Sequence, residues 1–334
     1  MAEPELFKCT PKDDGCHPDE TPDFFEWWYF DALMDDESSF VISWHRNAEG
    51  PAYVRLTYHD PAGEKSHLQT SFPLEQTHVS AETCDVRMAD NYLRGEYPKW
   101  EMRFQHGDTG CDLTFRSVTQ SVKSPPDGVT VFSERPRRYL GWLVPQPRAE
   151  VTGEVTVRGK RFPVHGLGYH DHNWGVGHVG RPAAGQEVLE AVGGGLAGLY
   201  DFWYWGRLYL PRHTIVYSAG RMAEHLGYAP ANILIALQGE KLTTMSFRLG
   251  HEERGMSVEP TTGADYPQEL IIRPQHRLVN GQITLKLRRF IDISPYGERG
   301  HGYFRFLADC HAQLDFCGEK IDVVVPAIHE RMKP

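Results

Sequence analysis

The sequence predicts an all-β fold of antiparallel strands. Segments in which apolar and polar residues alternate recur about every ten residues. Short clusters of turn-forming residues separate many of them, and helical periodicity is weak throughout. The clearest alternating segments are SSFVISWHR, AYVRLTYHD, WEMRFQH, CDLTFRSVT, EVTVRG, RFPVHG, HTIVYSAG, NILIALQG, TTMSFRLG, ELIIRP and QITLKLRRF.

The turn clusters favour hairpins and therefore up-and-down connectivity. They include DPAGEK, QHGDTG, VRGKR and VNGQ, whose Gly, Asn and Asp residues tolerate positive φ. The stretch 186–199 could begin as a helix, but it soon meets Gly193, Gly194 and Gly195. We interpret it as a loop or a short helix.

A chain of 334 residues is long enough for two β domains of ordinary size. The Pro-rich segment PRRYLGWLVPQPRAEVTG is followed by a dense polar and aromatic motif, and the boundary could fall on either side of that motif. We place it near residue 180, with domains over residues 1–180 and 181–334. No tandem repeat is visible, so the similarity of the two domains is inferred.

Composition and charge restrict the function classes. A net charge of −10 and a pI near 5.9 argue against nucleic acid, whose binding depends on Lys and Arg. With 40% hydrophobic residues and a mean hydropathy of −0.48, the chain can bury a core and keep a polar surface. No signal peptide or transmembrane segment is visible. Six sparse cysteines predict reduced thiols in a cytoplasmic protein.

The first group of candidate residues is the motif EWWYFDA, over residues 26–32. Strand alternation sends Tyr29 and Asp31 to one face and Glu26 and Trp28 to the other. Burial beside aromatic rings would make Glu26 or Asp31 a candidate general acid. Alternatively, the rings close one end of a barrel and the carboxylates only accept hydrogen bonds.

The second group is the run GYHDHNWG, over residues 168–175. In an extended segment His170 and His172 face one side and Asp171 the other. Three interpretations stay open: a zinc site that adds a remote ligand such as His178, acid–base catalysis by Asp171 with a histidine as proton relay, or a buried polar network that never contacts substrate. We expect no metal and no organic cofactor.

A third group, DFWYWGR over residues 201–207, combines aromatic and charged residues again. Arg207 could pair with Asp171, with Asp31 or with a substrate oxygen. No G-x-S-x-G or P-loop motif is present, and no G-x-G-x-x-G directly follows a predicted strand, which argues against hydrolase and nucleotide-dependent chemistry.

Three segments together resemble the lipocalin-like AttH and hydroxyneurosporene synthase (AttH/CrtC) superfamily, which includes carotenoid 1,2-hydratases and fungal Diels–Alderases. They are EWWYFDA, PRAEVTGEVTVRGKRFPVHGLGYHDHNWG and FWYWGRLYLPRHTIVYS. The resemblance spans residues 20–220, and the later part of the chain is similar only in being β-rich. GYHDHNWG and WYWGR are closer to the cyclase and Diels–Alderase branch.

This resemblance implies two lipocalin-like antiparallel β-barrel domains with a hydrophobic pocket at their junction. It makes Trp28, Tyr29, Trp174, Trp203 and Trp205 candidate pocket residues.

A cyclase of this type would fold a polyene or isoprenoid substrate in an aromatic pocket without a cofactor. One alternative is a hydratase that protonates an isoprenoid double bond through Asp171 or Asp31. The other is a non-catalytic carrier of a hydrophobic ligand.

Overall fold

The structure, a computed structural model, consists almost entirely of β-strands. It describes residues 4–48, 50–135, 137–177, 197–295 and 299–334. Strands account for 71% of the described residues and helices for 5%, and the strands form two antiparallel sheets of which one nearly closes into a barrel. The predicted all-β class is therefore confirmed. His178 and residues 186–196 lie outside the described residues, so the interpretations that involve them stay predictions.

The chain divides into two compact units, Met1–Gly177 and His178–Pro334. The strands of the first unit are β1 Phe24–Met34, β2 Ser39–Asn47, β3 Ala52–His59, β4 Lys65–Phe72, β5 Thr77–Val79, β6 Cys84–Met88, β7 Asn91–Glu96, β8 Lys99–His106, β9 Thr109–Ser117, β10 Val122–Lys123, β11 Val129–Glu134, β12 Arg137–Val157 and β13 Lys160–Val176. Short 3₁₀ segments lie at Pro4–Phe7, Pro11–Asp14 and Leu74–Gln76.

Two meanders and a long hairpin form the sheet of the first unit. Its strand order is β4-β3-β2-β1-β13-β12-β9-β8-β7-β6-β5, and β10 and β11 pair with β12. The β12–β13 hairpin therefore joins the β1–β4 meander to the β5–β9 meander. Alternate residues of these strands point into one apolar core, among them Trp28, Phe30, Trp44 and Phe104, all with no exposed surface.

The Pro-rich segment before residue 150 belongs to β12 and lies inside the first unit rather than at a boundary between domains. Proline cannot donate to a strand ladder and is tolerated within a sheet where the pairing is irregular. The register of β12 against β13 shifts between Leu143 and Gln146 and again between Gln146 and Ala149, and Pro145 and Pro147 lie in those two intervals.

The second unit contains a second antiparallel sheet, ordered β17-β16-β15-β14-β22-β21-β20-β19-β18. Its strands are β14 Tyr200–Tyr209, β15 His213–Met222, β16 Pro230–Gln238, β17 Lys241–Ser246, β18 Leu249–Val258, β19 Asp265–His276, β20 Val279–Pro295, β21 Gly302–Phe316 and β22 Glu319–Lys333, with 3₁₀ segments at Ala197–Leu199 and Glu224–Leu226. Phe202 and Tyr204 point into its apolar core. In the described part of the chain, no helix has the length and apolar character that a bilayer crossing requires.

Candidate functional site

The two polar and aromatic motifs of the first unit lie side by side, because β1 pairs with β13 in antiparallel register. Trp28 is opposite His172, and Tyr29 is opposite Asp171. Since successive side chains of a strand point to opposite faces, this pairing produces two separate groups of polar residues. One faces the apolar core of the unit and the other faces away from it.

On the face away from the core, Tyr29, Asp31, Tyr169 and Asp171 form a block that we call the carboxylate–phenol patch. Asp31 lies opposite Tyr169 and Tyr29 opposite Asp171. The Tyr29 hydroxyl donates to Asp31 Oδ2 at 2.7 Å, and the Tyr169 hydroxyl donates to Asp171 Oδ2 at 3.0 Å. Each carboxylate thus accepts a hydrogen bond from the tyrosine that lies two residues away on its own strand.

Asp171 accepts two further hydrogen bonds. Trp142 Nε1 donates to Oδ2 at 3.1 Å, and Asn173 Nδ2 donates to Oδ1 at 2.8 Å. The side chain of Asp31 is fully buried and that of Asp171 nearly so, at 0% and 7% exposure. Donors that converge on a carboxylate favour its ionised form. The geometry therefore suits Asp171 better to stabilise a positive charge than to donate a proton.

On the core face, His170 and His172 join Glu26 and a residue from the N-terminal segment, Asp14. We call these four residues the core-face cluster. His170 Nε2 lies 3.1 Å from Asp14 Oδ2, and His172 Nε2 lies 3.2 Å from Glu26 Oε1. His172 Nδ1 is 3.3 Å from Asp14 Oδ1. Exposure of the four side chains does not exceed 4%.

The N-terminal segment is attached to the barrel interior by several further hydrogen bonds. Trp100 Nε1 donates to Asp14 Oδ2 and Trp28 Nε1 donates to the Asp14 carbonyl, both at 2.9 Å. The backbone N–H of His17 donates to Glu26 Oε1 at 2.7 Å, and an Arg46 guanidinium nitrogen lies 3.3 Å from Glu26 Oε2. These contacts give partners to two carboxylates that would otherwise be costly to bury.

Opposite charges govern protonation in the core-face cluster. Burial disfavours the imidazolium of His172, but hydrogen bonds and charges from Asp14 and Glu26 outweigh it and raise the pKa of His172 to about 9. Burial likewise disfavours the Glu26 carboxylate, yet its bonds to His17 and His172 lower the pKa of Glu26 to about 2. The pKa of Asp14 is lowered by His170 and His172 in the same way.

Two groups of side chains in this region have the composition of a metal site. Ligand atoms of Asp14, Cys84 and His170 all lie within 4.8 Å of one another, and so do those of His17, Glu26 and His172. Imidazole, thiolate and carboxylate are the usual zinc ligands.

Trp174 occupies a different position from the other predicted pocket residues of the first unit. Its indole stacks on His17, with ring centroids 3.6 Å apart and planes 2° from parallel. Both rings line a pocket of about 440 Å³, together with Asp19, Asp127, Val129, Val131, Glu134, Arg137, Tyr139 and Pro18. Trp28, in contrast, belongs to the apolar core.

Trp203, Trp205 and Arg207 lie on β14 of the second unit, on the face opposite the core-facing Phe202 and Tyr204. Arg207 is 3% exposed, its Nε donates to the Tyr209 hydroxyl at 3.1 Å, and its guanidinium lies over the Trp205 ring at 5.5 Å. Trp203, Trp205 and Arg207 thus belong to the second unit, whereas the other predicted site residues belong to the first.

The structure separates residues for which the sequence suggested a common role. Asp171 does not lie with His170 or His172, so neither histidine is oriented by it. Sequence reasoning missed Asp14, His17 and Trp142. Asp14 and His17 lie in a polar, turn-rich segment without strand alternation, and only a long-range contact reveals their role.

No protein-family model matches the chain. The quinolone epoxide rearrangement protein penF of Penicillium thymicola is 24% identical over 229 residues, 59% of this chain and 55% of that protein. Hydroxyneurosporene dehydrogenase of Chlorobaculum tepidum is 24% identical over 245 residues, 60% of this chain and 58% of that protein. The chain thus spans a little over half the length of these relatives.

Solved structures are similar over nearly the whole chain. CghA with Sch210972 has a TM-score of 0.67 at 14% identity, covering 98% of this chain and 96% of that one. An AttH-type protein of Nitrosomonas europaea has a TM-score of 0.66 at 15% identity, with coverages of 97% and 96%. Kievitone hydratase of Nectria haematococca has a TM-score of 0.59 at 16% identity, with coverages of 98% and 94%.

At these identities the structural similarity establishes the fold alone. Together, the sequence relatives and the solved structures confirm the resemblance to the lipocalin-like AttH and hydroxyneurosporene synthase superfamily that the EWWYFDA, GYHDHNWG and WYWGR motifs predicted.

Proposed function

We propose that this chain is an enzyme that cyclises or rearranges a hydrophobic small molecule of polyene or isoprenoid type, and that the carboxylate–phenol patch binds the polar part of the substrate. The observation that carries the proposal is the pair of buried carboxylates, Asp31 and Asp171, each holding a tyrosine hydroxyl on one face of β1 and β13.

The chemistry of this patch suits a reaction that conserves atoms. Ring closure and rearrangement need a substrate held in a reactive conformation and charges placed where the transition state develops them. A buried carboxylate provides such a fixed charge, because the side chains around it already hold it in place. Tyr29, Tyr169 and Trp142 add aromatic surface that can shelter a developing cation.

The names of two curated relatives agree with this class, because both are quinolone epoxide rearrangement proteins. Among the solved structures, kievitone hydratase is named for the alternative reaction, the addition of water. Because the relatives match over only part of their length, these names support the class of reaction and leave the substrate open.

Product mass tests the proposal directly. The purified chain is incubated separately with a quinolone epoxide and with an acyclic polyene that carries a conjugated carbonyl, and products are separated by liquid chromatography and weighed. We expect a product of unchanged mass and altered retention. A product heavier by one water would indicate a hydratase, and bound but unaltered polyene would indicate a carrier. Either of these results would overturn the proposal.

Asp171→Asn then tests the role of the patch. We expect the turnover rate to fall by about 10²-fold or more, because the amide cannot supply the negative charge. Asp112→Asn is the matched control, since Asp112 is exposed on β9 of the same unit. Equal rates for the two variants would remove Asp171 from the reaction.

A further inference from the structure

His17, Glu26 and His172 bring two imidazoles and a carboxylate together beside the pocket of the first unit. Glu26 lies on β1 and His172 on β13, whereas His17 follows the 3₁₀ segment Pro11–Asp14. One ligand atom of each residue lies within 4.8 Å of the other two. The side chains of Glu26 and His172 have no exposed surface, and that of His17 is 28% exposed. Zinc is commonly bound by such a donor set.

Both imidazoles approach the same carboxylate oxygen. His17 Nδ1 and His172 Nε2 each lie 3.2 Å from Glu26 Oε1. The backbone N–H of His17 donates to that oxygen at 2.7 Å and occupies one of its two lone pairs. Charge-assisted N–H···O bonds are usually about 2.7–2.9 Å long, so both ring contacts are longer than such bonds. Hydrogen bonding therefore does not account for both rings.

The same two spacings fit ligands around one ion. Bonds of about 2.0 Å arranged tetrahedrally around zinc place neighbouring nitrogen and oxygen ligands about 3.3 Å apart. The distances from Glu26 Oε1 to His17 Nδ1 and to His172 Nε2, both 3.2 Å, are close to this value and share one oxygen. Magnesium and calcium prefer oxygen ligands, so the two imidazoles favour zinc.

Outer partners hold two of the three ligands in place. His172 Nδ1 lies 3.3 Å from Asp14 Oδ1, which is the carboxylate–histidine arrangement that orients many metal-binding imidazoles. An Arg46 guanidinium nitrogen lies 3.3 Å from Glu26 Oε2 and engages the oxygen that faces away from the histidines. Glu26 is thereby left to bind an ion through Oε1 alone.

The third ligand connects the group to solvent. His17 lines the pocket of about 440 Å³ together with Trp174, and the stack between their rings fixes the plane of the imidazole. Three protein ligands are the usual number in zinc sites that keep a fourth position for water or substrate. The pocket provides the entry path that such a site requires.

We propose that His17, Glu26 and His172 bind a zinc ion whose fourth ligand is a water molecule from this pocket. The ion replaces the proton that His172 Nε2 shares with Glu26 Oε1, and that proton is released to solvent. His17 binds through Nδ1 and keeps its proton on Nε2. The site lies on the core face of β13, whereas Asp171 lies on the other face, and it does not depend on the proposed enzymatic reaction.

Cobalt(II) titration provides the test. The full chain is purified without a histidine tag, freed of metal with a chelator, and titrated with Co²⁺. We expect one ion per chain and visible bands of tetrahedral cobalt without a sulfur-to-cobalt charge-transfer band. X-ray absorption of the zinc-loaded chain should show nitrogen and oxygen ligands that include two imidazoles. A folded chain that binds no stoichiometric ion refutes the site and leaves a metal-free network of ion pairs.

A sulfur ligand would overturn the assignment in a different way. Ligand atoms of Asp14, Cys84 and His170 also lie within 4.8 Å of one another, so a charge-transfer band or a sulfur shell would place the ion there. X-ray absorption distinguishes the two groups in the unaltered chain, without any substitution in the buried core.

Matched variants locate the ion. His17→Ala removes the partly exposed ligand and leaves the buried pair of Glu26 and His172 in place. It should lower the affinity for Co²⁺ by about tenfold or more, because loss of an outer partner alone costs about 10–100-fold. His165→Ala should keep the affinity, since His165 is an exposed histidine of the same unit that contacts Asp35.

Circular dichroism checks that both variants are folded. Unchanged affinity in His17→Ala, or an equal loss in His165→Ala, overturns the proposal.

Discussion

Replacing Gly141 by alanine tests how tightly Trp174 is held. Gly141 lies on β12 directly beneath the indole, and a Cβ built there would be 2.1 Å from Trp174 Cε2 and 2.4 Å from Cδ2. Carbon atoms in contact are separated by about 3.5 Å, so the ring must move by about 1.4 Å. His17 stacks against the indole at 3.6 Å and restricts that movement.

The expected cost follows from these contacts. Overpacking of this kind costs about 1–3 kcal/mol, and loss of the His17–Trp174 stack adds about 0.5–1.5 kcal/mol. Alanine is otherwise favoured over glycine within a strand by about 0.5–1 kcal/mol. The net destabilisation is therefore about 0.5–4 kcal/mol.

Urea denaturation of a double-mutant cycle measures this value. In the Trp174→Ala background the indole is gone, so Gly141→Ala should become neutral or slightly stabilising. The sign of its effect should thus change between the two backgrounds. If Gly141→Ala destabilises both backgrounds equally, the clash with Trp174 is not the cause and the reasoning fails.

Two further predictions concern buried charge. Glu26→Gln should lower the free energy of unfolding by about 3–5 kcal/mol, because it leaves buried donors without their counter-charge. Glu64→Gln, at an exposed pair with Arg158, should change it by less than about 1 kcal/mol. Similar urea midpoints for these two variants would contradict the conclusion that Glu26 is the buried counter-charge of its donors. Burial lowers the pKa of His329 to about 3, so between pH 6.5 and that value the unfolded chain binds more protons than the folded one. Stability should therefore fall with falling pH, by at most about 1.4 kcal/mol per unit from this group. His329→Leu should make the measured pH dependence shallower, and an unchanged slope would show that His329 is not buried as a neutral ring.

The sequence predicts the faces of single strands well. Alternation in EWWYFDA assigned Glu26 and Trp28 to one face and Tyr29 and Asp31 to the other, and the structure agrees. Two-residue periodicity is a local property, so it survives in any antiparallel sheet.

Contacts between distant segments were not predictable in the same way. Nothing local indicates that Tyr29 lies opposite Asp171, or that Asp14 reaches His170, 156 positions away. Pairing of this kind depends on which strands become neighbours in the sheet. The role of the prolines at 145 and 147 was likewise not predictable, because they coincide with register shifts of β12 that only its pairing with β13 reveals.

Alternating residues of β13 belong to the carboxylate–phenol patch and to the core-face cluster. The pairing of β13 with β1 runs from Phe24–Val176 to Met34–Gly166 without a register shift. Deleting or inserting one residue near Asp171 would exchange the two faces for every position beyond the change. Histidines would then replace carboxylate and phenol groups on one side, and both clusters would be lost together. We therefore expect this strand to tolerate substitutions but not insertions or deletions, whereas the turn at Arg158 and Gly159 that precedes it can change in length.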